Sequence, residues 1–128
     1  MDARAYITAA SHLCEGQKVL RGLQKPFYFL VSQSIELSLK AVLVKFGDNN
    51  LRSPHIRHNT LALVERAKRH TTIDPLFTTA AHRLSDYHHQ HLFRYGEREL
   101  YIVPKARQLL DVVSRQITTF ELLIFSGR

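Results

Sequence analysis

One cysteine, five glycines and four prolines are all that this 128-residue chain holds of the residue types that staple or break a backbone. The lone thiol of Cys14 cannot close an internal disulfide, so a bridged scaffold is excluded and a reducing compartment is expected. Its position on an apolar stripe reads as a small core filler rather than a nucleophile. There is no paired-cysteine metal motif, and the few glycines build no Walker-type phosphate loop, dinucleotide fingerprint or nucleophile elbow. These absences argue against a conventional nucleotide-hydrolysing or hydride-transfer enzyme. Repeats, low-complexity tracts and Pro/Gly/Ser linkers are missing as well. No basic stretch leads into an apolar run at the N-terminus, and no run long enough to cross a bilayer is free of charge. The expectation is a single cytoplasmic domain over residues 1–128, with no membrane association.

What is present is the material of a helical core. A hydrophobic fraction of 45% against 23% charged residues is ordinary for a folding domain of this size. Apolar residues recur at helical spacing in five segments, and glycine and proline fall between them. Residues 3–23 place Tyr6, Ala10, Leu13, Gln17 and Leu20 on one stripe. Residues 26–46 are apolar almost all round, from Phe27 and Phe29 to Val44 and Phe46, which puts this helix at the centre of a bundle or at the centre plus a subunit interface. Asn59 or Thr60 caps a short third helix with Leu61, Val64 and Ala67 inward. Asp74-Pro75 starts a fourth helix reaching about residue 93, and Pro104 opens a fifth with Ala106, Leu109, Leu110, Val113, Ile117, Phe120 and Ile124 inward. Nothing reads convincingly as a sheet. The expected fold is all-α: a compact bundle of about five helices, four long and one short.

The formal charge is +7, and residues 40–70 supply +5 of it, with seven Lys or Arg against two acids. Such a cluster is an electrostatic footprint for RNA or nucleotide phosphate, and equally the pattern of a solvated basic surface. Within the second segment, Gln33, Glu36 and Lys40 interrupt an otherwise apolar helix. Glu36 and Lys40 have the i, i+4 spacing of a helix ion pair worth about 0.2 to 0.5 kcal/mol. Beside buried surface, such groups demand partners.

This order of features resembles the HEPN domain family. Phe27-Tyr28-Phe29-Leu30 leads into the Gln33, Glu36, Lys40, Ala41 pattern. A loop then carries His58-Asn59-Thr60-Leu61, where members of the family more commonly have His-(Asp/Ser)-Leu. Arg94-Tyr95-Gly96 follows the fourth helix, where many have Arg-Tyr-Pro, and a long C-terminal helix closes the chain. The resemblance implies a helical bundle, usually a homodimer, that binds nucleotide or RNA. It also implies a bacterial toxin-antitoxin or defence setting, with an antitoxin or a nucleotidyltransferase-type protein as partner. The binding residues expected on this reading are Lys40, His58, Arg94 and Tyr95, with Gln33 and Glu36 as structural polar groups.

Active ribonucleases of that family carry Arg-x4-6-His, often with a polar residue directly after the arginine. Arg83 and His88 satisfy the spacing, as do Arg83 and His89, but Leu84 follows Arg83. A histidine there would act as general base or acid on the ribose 2′-hydroxyl and leaving oxygen, while the arginine stabilises phosphorane charge, with no metal. Binding ranks above this catalytic alternative, and a purely structural dimer module is the third reading. His88 and His91 are three apart, yet no cysteine pair or carboxylate completes a ligand set, so no metal or cofactor is expected.

Overall fold

The computed structural model describes residues 2–48, 59–91 and 105–126, with the backbone alone for 86–91. Five helices are found among them, in a compact all-α bundle: α1 (Asp2–Ser11), α2 (Gln24–Lys45), α3 (Thr60–Ala67), α4 (Pro75–His91) and α5 (Ala106–Phe125).

The first helix is half as long as its stripe suggested. α1 stops at Ser11, and the chain turns into a small antiparallel hairpin, β1 (Cys14–Glu15) with β2 (Lys18–Val19). Gly16 occupies the first turn position at φ +60°, as a type II′ hairpin turn requires. The expectation of a helix through residue 23, and of no strand, is corrected here. Continuing the helix would place Gly16 in its interior at about 1 kcal/mol relative to alanine. The hairpin packs Leu13, Cys14 and Val19 on the core without that cost, and leaves Gln17 exposed.

Local signals set the other boundaries. In α2, Pro26 lies in the first turn, where its missing N–H would have had no helical partner. The helix closes in a Schellman turn: Gly47 at φ +75° donates its N–H to Val44 O at 3.0 Å, and Asp48 N–H reaches Leu43 O at 2.8 Å. Asn59 caps α3 by accepting from the Ala62 N–H at 3.1 Å, and Asp74 Oδ1 accepts from the Leu76 N–H at 2.8 Å at the start of α4. Leu63 and Val64 are the large residues α3 buries, while Leu61, expected inward, is only half-buried.

One continuous core runs through all five helices. α2 contributes Phe27, Val31, Ile35, Leu39 and Leu43, and α5 contributes Leu109, Val113, Ile117 and Phe120. Phe77 of α4 meets Phe120 edge to face, with centroids 5.9 Å apart. Polar contacts fix the helices relative to one another. Arg4 of α1 donates to Ser114 Oγ, Thr118 Oγ1 and Glu121 Oε1 of α5 at 2.7 to 3.0 Å. Asp74 N–H donates to the buried Gln116 Oε1 at 2.8 Å, tying the start of α4 to α5.

α2 is also the one helix among the described residues that is long and apolar enough to cross a membrane. Half of that apolar stretch is buried in the bundle. On its outer side Phe29 and Val44 are exposed, as are Leu122 and Phe125 at the end of α5.

Candidate functional site

Glu36 and Lys40 lie at the edge of the buried arc of α2, not in its centre. Their side chains keep only 14% and 25% of their surface in solvent, and Lys40 Nζ approaches Glu36 Oε2 to 3.2 Å. The expected i, i+4 pair therefore exists, and it satisfies a lysine that would otherwise sit half-buried without a counter-charge. Gln33 is half-buried on the same side of the helix. The serines of this segment do something different. Ser34 and Ser38 are fully buried, and each hydroxyl donates back to a carbonyl three residues earlier, Val31 O and Ile35 O, at 2.7 and 2.8 Å. They satisfy themselves locally and leave a narrow helix surface.

Lys40 also borders a groove of about 410 Å³, open to solvent, between α1, α2 and α5. Its floor is apolar, from Ala3, Leu37, Ala41, Val44 and Ile124, and Asp2, Lys40 and Lys45 stand at its rim. None of its lining comes from α4. The described residues thus do not bring Lys40 and Arg83 together in this groove.

A second polar cluster joins the end of α2 to α3. Asp48, just past the Schellman turn, is held by Arg66, whose Nε donates to Oδ2 at 3.1 Å while a terminal nitrogen reaches Oδ1. His70 Nε2 stands 3.7 Å from the same carboxylate, and its ring lies parallel to Phe46, with centroids 4.8 Å and planes 4° apart. Next to His70, Arg69 is exposed and has no acidic partner among the described residues, whereas Lys68 pairs with Glu65 at 3.3 Å.

On α4, Phe77, Ala80, Ala81 and Leu84 face the core, and His82 and Arg83 are exposed. The helix is continuous to His91. Positions 83 and 88, five residues apart on it, are therefore turned about 140° from each other around the axis. His58, Arg94, Tyr95 and Pro104 lie outside the described residues, as does the side chain of His88. Among the described residues, no group of three or more His, Cys, Asp or Glu side chains is gathered to hold a metal ion.

The chain matches no family model, no curated protein and no solved structure.

Of the groups singled out in the sequence, the structure unites Glu36 with Lys40 and adds Lys40 to a groove. Sequence reasoning missed the cluster of Phe46, Asp48, Arg66 and His70. Two signals were there: Gly47 marks the turn that swings Asp48 back, and Arg66 and His70 stand four residues apart, one in the last turn of α3 and one just past its end.

Proposed function

We propose that this chain is a HEPN-like, RNA- or nucleotide-binding helical domain, cytoplasmic and acting as a homodimer, in a toxin-antitoxin or defence setting. The observation that carries the reading is the positive charge left after internal pairing. Within the basic stretch, Glu36 takes Lys40, Asp48 takes Arg66 and Glu65 takes Lys68. Lys45 and Arg69 have no acidic partner among the described residues, and the chain as a whole carries +7. Unspent cations attract phosphate. The exposed Phe29, Val44, Leu122 and Phe125 supply apolar surface for a second copy or a partner protein.

Binding stands ahead of ribonuclease activity through Arg83 and His88. Positions 83 and 88 are turned about 140° from each other around the axis of α4, which favours binding over catalysis by this pair. The test is incubation with total RNA in chelator across a salt series, for wild type, Arg83→Ala and His88→Ala. The expected result is retention of intact RNA by all three, weakening as salt rises. Cleavage by wild type alone would put the ribonuclease reading first. RNA neither held nor cut would overturn both.

A further inference from the structure

The junction of α2 and α3 holds an aromatic pair fixed at the surface beside cations. Phe46 is 41% exposed, and His70 lies flat against it. Both rings are anchored from behind. Phe46 is the last residue before the Schellman turn, and His70 is placed by Asp48, which Arg66 holds. Phe46 stays exposed while the His70 side chain keeps 25% of its surface in solvent, and a fixed pair loses little freedom when another flat group stacks on it.

The local charge suits the same partner. Asp48 is neutralised by Arg66 and Glu65 by Lys68, so the acids described at this junction are matched and Arg69 is in surplus. A flat aromatic face with a cation beside it is how proteins hold unpaired nucleobases together with their phosphates. We propose that Phe46 and His70 form a stacking platform for an unpaired base of single-stranded RNA, with Arg69 meeting the adjoining phosphate. This rests on the RNA-binding reading above and adds a place on the fold and a preference for unpaired bases. A duplex keeps its bases stacked inside and offers the platform nothing to hold.

The chain has no tryptophan, so Phe46→Trp places a single indole reporter at the platform. Binding of a single-stranded RNA of about 12 nucleotides, a length within the usual site sizes, is followed by indole quenching. End-label anisotropy follows wild type, Phe46→Leu and Arg69→Ala. The expected result is quenched Phe46→Trp that binds at least as tightly as wild type. Phe46→Leu, which keeps an apolar cover on the junction, binds single strands about tenfold more weakly and duplex RNA unchanged. Arg69→Ala weakens both and lowers the salt slope by about one.

If wild type holds RNA while Phe46→Leu binds single strands equally well and Phe46→Trp is not quenched, the platform is wrong and the RNA reading survives. Equal losses for single strands and duplex in Phe46→Leu overturn it too, because the effect is then structural. Quenching by polyglutamate as strong as by RNA assigns the site to acidic peptides instead. No RNA binding by wild type removes both readings.

Discussion

Arg66 closes on both carboxylate oxygens of Asp48, a residue 18 positions earlier, and by doing so welds the end of α2 to α3. Both side chains are at least four-fifths buried, with 19% and 13% of their surface left in solvent. Removing one partner of so enclosed a pair strands the other's charge, which costs more than the pair itself contributes. Arg66→Ala is expected to lower unfolding free energy by about 3 to 5 kcal/mol, read from urea denaturation. The double change with Asp48→Ala should cost less than the two single losses added together. Strict additivity would show that the two charges are not coupled.

Gln116 is a polar residue in the core, 5% exposed, and its Oε1 takes the N–H of Asp74. Gln116→Leu preserves volume and apolar packing but leaves that N–H without its acceptor. The expected loss is about 1 to 2 kcal/mol, with faster amide exchange at the start of α4. Unchanged exchange there would mean that water replaces the glutamine without penalty.

Ser38 tests how closely the bundle is packed around α2. Its hydroxyl bonds only within its own helix, and the side chain is fully buried. Ser38→Ala is expected to stay within about 1 kcal/mol of wild type, whereas Ser38→Leu overpacks the site and costs about 1 to 3 kcal/mol or more. A tolerated leucine in thermal melts would mean that the facing surface can retreat.

Burial pushes the Cys14 thiol above its ordinary value, against a smaller downward pull from Arg107, whose Nε also donates to Gly16 O at 3.3 Å. The thiolate is the reactive form, so alkylation at pH 8 should be slower than for a free cysteine. Arg107→Ala removes the downward influence and should slow it further. The stability sign follows: a thiol raised by folding contributes fully below its unfolded value, near 8.5, and that contribution is lost as pH climbs through the folded value. Faster alkylation in Arg107→Ala would show that opening of the hairpin, not charge, controls the thiol.

Much of the fold was legible because its signals are local. Asn59, Asp74-Pro75 and Gly47 act within four residues of themselves, and their helix ends fall where the sequence places them. The stripe of α5 holds one period, and Ala106, Leu109, Leu110, Val113, Ile117 and Phe120 are all buried, with Ile124 half-buried at its end. α1 misled because Leu13, Cys14 and Val19 fit either a helical stripe or the inner side of a hairpin. Period alone does not separate the two over so short a stretch. Of the candidate site, the Glu36 and Lys40 pair was readable for the same local reason.

By itself, then, the sequence determined the helical class, most helix ends, the central place of α2 and the surplus of positive charge, since propensity, capping and composition depend on neighbours along the chain. Only the tertiary structure decided that Arg4 reaches Glu121 across 117 positions, that Gln116 holds Asp74 across 42, and that Phe46 and His70 meet face to face beside Asp48. Such contacts depend on how helices are set against one another, and that follows from the burial of the whole core at once rather than from any segment alone.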